Sequence, residues 1–306
     1  MTAPLPDAAP TNWVDRHAPE ALRPWLKLGR FDRPTGVWLL MLPGWQGIAL
    51  AAAAAEQRLP DPRLLLLFLL GAALMRAAGC AYNDIVDRDF DAKVARTAGR
   101  PIPSGQISVG QAWGFVVACC LISLAILLSF PPLAIALGAG SLLLVAAYPF
   151  MKRITWWPQA WLGLTFNWGA LLGFAAATGT LGWPAILLYA SGIFWTLGYD
   201  TIYAVQDLED DALAGVKSSA RRLGDAAPRA VLGFYAAATF LALAAAYTAG
   251  LGPLFWPPAA LFALHLSRQA QRLDLSDTGR ALALFKSNAL AGFILFVAAC
   301  AGGWRP

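Results

Sequence analysis

The sequence predicts an all-α integral membrane protein crossing the bilayer nine times. Three observations predict it. Hydrophobic residues make up 58% of the 306 and charged residues only 13%, with a mean hydropathy of +0.55. Apolar runs of about 20 residues, the length that spans a hydrocarbon core of about 30 Å, recur along the chain. The Lys and Arg residues gather on alternate connections between those runs, as the positive-inside rule requires.

In chain order, residues 1–18 read as a mobile tail, and with no apolar h-region no cleaved signal peptide is expected. Residues 19–33 mix apolar and basic side chains as an interfacial helix does, so 1–33 is set apart from one membrane domain over 34–306. Spans are expected at 35–55, 64–82, 109–129, 132–150, 158–178, 183–203, 228–249, 253–267 and 284–303, the eighth being short and broken by Pro257 and Pro258. Five Lys/Arg precede span one, and four, two, four and four follow spans two, four, six and eight: nineteen on one side. The other side holds only Arg58, Arg63 and Arg305, while Arg76 lies inside span two. This count puts the N-terminus and the basic loops in the cytoplasm.

The net charge of +5 is therefore topology. Basic residues scattered over short loops exclude a nucleic-acid surface. Cys80, Cys119, Cys120 and Cys300 all lie in apolar spans without metal-ligand spacing and read as small buried hydrophobes. His17 and His265 stand alone, as loop or interfacial residues.

Two acidic sets interrupt the apolar pattern. Asp84, Asp87, Asp89 and Asp91 end span two; Asp200, Asp207, Glu209, Asp210 and Asp211 end span six. Asp87-x-x-x-Asp91 and Asp207-x-x-x-Asp211 share a spacing of four, which on a helix puts both carboxylates on one face and leaves Asp89 off it. Both sets emerge on the basic side, and each precedes a basic, hydroxyl-bearing loop, 96–105 or 215–222. Four spans separate them, as in two halves related about the membrane normal.

Carboxylates at a membrane edge need a compensating partner. Hard oxygen ligands of this kind hold Mg²⁺ and share it with phosphate. Asn83 adds a neutral carbonyl oxygen. Two such helix ends, with lysines and arginines on the remaining oxygens, neutralise a diphosphate leaving group as its C–O bond breaks. The competing explanation, edge charges paired with Arg88, Lys93 and Lys217, does not account for two matched sets at one depth.

The residues also resemble a family. Asn83-Asp84-x-x-Asp87-x-x-x-Asp91, followed by Arg96-Thr97-x-x-Arg100-Pro101-x-x-Ser104-Gly105, is similar to the first signature of the UbiA superfamily of membrane prenyltransferases. Asp200-Thr201-x-Tyr203-Ala204-x-x-Asp207-x-x-x-Asp211-x-x-x-Gly215-x-Lys217-Ser218 resembles the second. Tyr148-Pro149-Phe150-Met151-Lys152-Arg153-x-Thr155-x-x-Pro158-Gln159 and Arg33-Pro34-Thr35-Gly36 resemble segments of its 4-hydroxybenzoate polyprenyltransferase branch. Ser219, where the family often has Thr, and Thr35, where Ile is common, are departures away from the chemistry.

The resemblance implies a nine-helix bundle around a central cavity open to membrane lipid. It implies transfer of a polyprenyl chain from an allylic diphosphate to the ring carbon ortho to the hydroxyl of 4-hydroxybenzoate, in ubiquinone synthesis. Carried over by position, Asn83, Asp87, Asp91, Asp207 and Asp211 would bind Mg²⁺, with Asp84 a helper at the substrate. Arg88 and Asp200 would be catalytic, Asp200 orienting or deprotonating the phenol. Arg153 would take the aromatic carboxylate, its planar guanidinium suiting that group, and Lys93, Lys152 and Lys217 would also face substrate. Trp45, Phe166, Trp168, Phe174 and Trp195 are candidates for steadying an allylic cation, although core or lipid packing accounts for any one of them. No obligate protein partner is expected, and the location expected is a bacterial inner membrane. Two rivals remain: a family enzyme with another aromatic acceptor, and a transporter. Transporters place their sites near the midplane at broken helices, whereas these acids gather at one face.

Overall fold

The computed structural model describes residues 12–93, 97–208 and 215–304, and within them every regular element is a helix. They run α1 (Trp13–His17), α2 (Arg23–Leu28), α3 (Thr35–Ala54), α4 (Pro62–Asp91), α5 (Val109–Leu127), α6 (Pro132–Ile154), α7 (Pro158–Phe166) and α8 (Trp168–Thr178). Then follow α9 (Trp183–Ala204), α10 (Ser219–Leu223), α11 (Ala227–Thr248), α12 (Trp256–Arg272), α13 (Thr278–Lys286) and α14 (Asn288–Ala301). Proline opens many of them: it is the first residue of α4, α6 and α7 and sits at the start of α9, α11 and α12. There its fixed φ favours the helix and its missing N–H is no loss.

Among the described residues, seven helical stretches are long and apolar enough to cross a membrane: α3, α4, α5, α6, α7–α8, α10–α11 and α13–α14. The other two expected spans also fold as helices. α9 has the length, at 22 residues, but Asp200 and its run of Gly, Tyr and Thr dilute its apolar character. α12, at 17 residues, reaches only about 25 Å at 1.5 Å per residue. Pro257 and Pro258, expected to break that span, instead begin it, so the helix runs Trp256–Arg272. Span two also differs: the helix continues to Asp91, 30 residues in all and about 45 Å long. It carries the first acidic motif well beyond its apolar stretch.

The chain divides into two compact units, residues 1–38 with 69–129 and residues 39–68 with 130–306. In the first, Leu28 of α2 is fully buried among Ala81, Ile85, Ile102, Ile107 and Ala112. The stretch expected at the interface is thus docked on protein: α2 lies against the acidic end of α4 and the loop that follows it. Trp13 donates from Nε1 to the Phe31 carbonyl at 2.7 Å, and Lys27 meets Asp15 at 2.7 Å, which ties α1 to α2. α5 turns Val117, Leu121, Ile122 and Leu124 outward, as a lipid-facing helix does.

In the second unit the core is built on Trp195, Tyr199, Tyr235, Phe255 and Phe262. Membrane helices gain nothing from apolar contact alone, because lipid is equally apolar, so close backbone approach and internal hydrogen bonds hold them. Gly47 of α3 shows the first device: a Cβ there would stand 2.3 Å from the Ala170 carbonyl oxygen of α8. Asn167 shows the second. It separates α7 from α8, and its amide donates to the Gly163 carbonyl at 2.9 Å and to the Thr196 hydroxyl at 2.7 Å. The break is therefore bridged by the Asn167 amide, which ties α7 to α9.

Gly47→Ala should lower the unfolding free energy by about 1–3 kcal/mol through overpacking. Gly71→Ala in α4, where a Cβ would meet nothing within 4 Å, should be neutral or mildly stabilising. Thermal unfolding of the two variants in detergent checks the contrast; equal losses would contradict the close approach.

Candidate active site

The acidic end of α4 presents its charges with helical order. Asp84, Asp87 and Asp91 are buried, whereas Arg88 and Asp89 are exposed. Spacings of three and four put the three buried acids on one face, and Asp89 is off it as expected. Arg88, a proposed catalytic residue, lies on the outer face and meets Asp89 at 3.3 Å. Lys93 is also exposed.

Asp84 has no exposed surface and is doubly compensated. One Arg30 nitrogen, Nη2, donates to both of its oxygens at 2.7 and 2.9 Å, and Nη1 of Arg100 donates to Oδ1 at 3.2 Å. The same Arg100 nitrogen donates to Asp91 Oδ2 at 2.8 Å, so one guanidinium bridges two acids of the face. Asn83 donates weakly to Asp87 at 3.4 Å, which brings an amide and a carboxylate together one turn apart.

Local sequence sets both arginines. α2 ends in a Schellman-type closure, with Phe31 N–H bonded to the Leu26 carbonyl at 2.9 Å. Arg30 takes its left-handed position at φ 60°, where glycine is usual. A non-glycine residue there costs about 1–2 kcal/mol, and Arg30 is held by its side chain: Nη1 also donates to the Lys27 carbonyl at 3.1 Å. Burial disfavours the Arg30 charge, but the adjoining Asp84 carboxylate outweighs burial and holds the guanidinium above its ordinary pKa. Arg100 arrives on a loop whose Ile102 and Ile107 are buried with Ile85. That loop is pinned to the helix end by the Thr97 hydroxyl, which donates to the Asp91 carbonyl at 2.8 Å. Gly36, in the Arg33-Pro34-Thr35-Gly36 segment, leaves room for the intramembrane Arg76: a Cβ at 36 would stand 2.6 Å from Arg76 Nε.

In the second unit, α9 carries half-buried Asp200 and runs into a 3₁₀ turn, Val205–Asp207, that holds Asp207, also half-buried. Asp211 lies outside the described residues. The return loop is laced to the connection after α6. Lys217 N–H donates to the Lys152 carbonyl at 3.1 Å, and its Nζ donates to the Ile154 carbonyl at 3.2 Å. Buried Gln159 accepts from Ser219 N–H at 3.0 Å, and the Ser219 and Thr201 hydroxyls lie 2.7 Å apart. Arg221 donates to the Val216 carbonyl and stands over the Trp156 ring. Lys152 and Arg153 sit at the end of α6, half-buried and exposed respectively. The structure thus brings the Arg153 loop and the loop after the second motif together. The aromatic candidates of this unit are packed: Trp195 donates to Asn288 Oδ1, Trp45 to the Leu65 carbonyl and Trp168 to the Leu137 carbonyl, while Phe166 and Phe174 are core.

Sequence reasoning missed Arg30, counted only as a topological charge, and left Arg100 and Gln159 without roles. A buried Asp84 demands a cation, but nothing local says that the cation is 54 residues earlier. Among the described residues no three His, Cys, Asp or Glu side chains converge as a ready metal site. The proposed ligands at this end of α4, Asn83, Asp87 and Asp91, are nonetheless hard oxygens, the set that suits Mg²⁺ rather than a softer ion.

The UbiA prenyltransferase family matches the chain over residues 44–300. The chain is 46% identical over 288 residues to the mitochondrial 4-hydroxybenzoate polyprenyltransferase of Arabidopsis thaliana, covering 93% of this chain and 70% of that one. It is 44% identical over 291 residues to the mitochondrial protein of that name from Homo sapiens, covering 94% and 78%. The fold resembles the apo structure of a UbiA homolog from Aeropyrum pernix K1, with a TM-score of 0.70 and 27% identity over 85% of this chain and 96% of that one. It also resembles a UbiA homolog from Archaeoglobus fulgidus bound to GPP and Mg²⁺, with a TM-score of 0.60 and 19% identity over 90% and 99%. The expected bacterial inner membrane is not borne out by these relatives, both of which are named as mitochondrial proteins.

Gln159→Ala would leave the buried Ser219 N–H without its acceptor. It should cost about 1–3 kcal/mol and raise amide hydrogen exchange across 216–221. Unchanged exchange there would show that Gln159 does not hold the loop.

Proposed function

The chain belongs to the UbiA prenyltransferase family, and we propose that it is a 4-hydroxybenzoate polyprenyltransferase serving ubiquinone synthesis. The acceptor rests on 44–46% identity over more than nine-tenths of the chain to proteins of that name. The chemistry rests on the buried acidic face of α4. Asn83, Asp87 and Asp91, with Asp207 and Asp211, would hold Mg²⁺. When bound, the ion would supply Lewis-acid stabilisation of the departing diphosphate, and the archaeal homolog solved with GPP and Mg²⁺ has this fold.

The chain's own residues do the rest of the work. Lys93, Lys152 and Lys217 contact diphosphate oxygens, and Arg153 holds the aromatic carboxylate with its planar guanidinium. The allylic C–O bond breaks with its electron pair leaving on diphosphate. The ring carbon ortho to the hydroxyl then bonds to the allylic carbon and releases its proton. Asp200, on α9 one to two turns before Asp207, orients the phenol or accepts that proton; Arg88, on the outer face of α4 beside Asp89, is given no part in the step. The apolar helices exclude the water that would otherwise capture the cation.

Membranes holding this protein should join 4-hydroxybenzoate to an allylic polyprenyl diphosphate only with a divalent cation present. Asp87→Ala, Asp91→Ala and Asp207→Ala should each lower kcat by about 10²-fold or more, as loss of a transition-state electrostatic group does. Turnover that survives chelation, or persists in these variants, would overturn the mechanism; uptake into proteoliposomes without product would favour transport. Asp200→Asn should lower kcat and alter its pH profile, and full turnover with the same profile would remove Asp200 from catalysis.

A further inference from the structure

We propose that Arg30 is a positioning residue for the acidic face of α4, acting through Asp84 and Arg100 on Asp91 without touching substrate. The proposal rests on the reading of Asp91 as a metal ligand. Asp84 has no exposed surface and both of its oxygens accept from Arg30. A group so enclosed is a poor candidate for contact with a diphosphate or its cation. What Asp84 does touch is Arg100, at 3.2 Å, and that nitrogen reaches Asp91 at 2.8 Å. Three links therefore run in line: Arg30 fixes Asp84, Asp84 fixes Arg100, and Arg100 orients the Asp91 carboxylate.

Two features separate this line from an ordinary structural ion pair. Arg30 holds a left-handed backbone at φ 60°, in a helix closure that glycine would fill with less strain. A residue kept there against its backbone preference is kept for its side chain, and strain of this kind concentrates where geometry must be exact for function. Arg100 is also shared: one nitrogen donates to both Asp91 and Asp84, so Asp84 would keep it anchored if Asp91 turned to a metal. Partners of a ligand that are themselves fixed set the ligand's direction and basicity.

The test uses the full chain in detergent or nanodiscs and compares Arg30→Gln, Asp84→Asn, their double variant and Arg30→Lys. Without metal or substrate, amide exchange across 97–107 should rise about tenfold in each single variant and no further in the double. In turnover assays the half-saturating Mg²⁺ concentration should rise about 10- to 100-fold, with KM for 4-hydroxybenzoate unchanged and Arg30→Lys between wild type and Arg30→Gln. Additive losses in the double variant, a raised acceptor KM, or unchanged exchange in Arg30→Gln would each overturn the proposal. If the single variants do not fold, the double variant, which removes both buried charges, decides alone: wild-type exchange across 97–107 would refute the line. If exchange moves as expected but Asp91→Ala keeps full turnover, the positioning line stands and the metal-ligand reading of Asp91 fails.

Discussion

A carboxylate buried at the end of a lipid-facing helix has to be neutralised by its surroundings, and in the first unit that need organises everything near it. Desolvating such a charge costs several kcal/mol unless partners supply charge and hydrogen bonds together. Asp84 receives both from Arg30 and Arg100. Placing those two guanidiniums requires α2 to close in a strained left-handed turn. It also requires the 97–107 loop to fold back on α4 through Ile102 and Ile107. The hydrophobic contacts and the ion pairs serve one arrangement, because neither the turn nor the loop has enough local preference to hold its place.

The second unit answers the same constraint with neutral groups. Its helix breaks, at Asn167 and Ser287, fall where side chains take up the freed backbone groups. Asn167 bonds Gly163 and Thr196, and Asn288 takes the Trp195 indole while donating to the Leu284 carbonyl at 3.1 Å. Tyr235 donates to Gln269 at 2.7 Å, and Gln269 donates to Ser287 at 2.8 Å. In hydrocarbon a broken helix persists only if such partners exist. Neutral pairs carry far less desolvation cost than charges, so this core is fully enclosed, while its acids stay half-buried at the end of α9.

Much of this could be read from the chain. Apolar runs foretold where the long helices lie, because hydrophobic length is a property of a few neighbouring residues. The shared face of Asp87 and Asp91, and the exclusion of Asp89, followed from helical periodicity alone, whereas Asp84 joined them only in the structure. Where the reading went astray, the deciding contact was distant. Pro257 and Pro258 looked like breaks because the helix after them is judged by where it begins. Mixed apolar and basic composition at 19–33 suits a lipid surface, and it could not show that Leu28 packs on Ala81 and Ile85.

By itself the sequence determined that this is a helical membrane protein, with charged connections on one side and two acidic motifs at the ends of apolar helices. Those are properties of composition and short-range period, fixed before any helix meets another. Tertiary structure alone decided which basic residues answer which acids. Arg30 and Arg88 are alike in composition and both lie beside apolar segments, yet one is buried on Asp84 and the other faces outward beside Asp89. The difference lies in a contact spanning 54 residues, and such a contact exists only once the turn after α2 has been packed against α4.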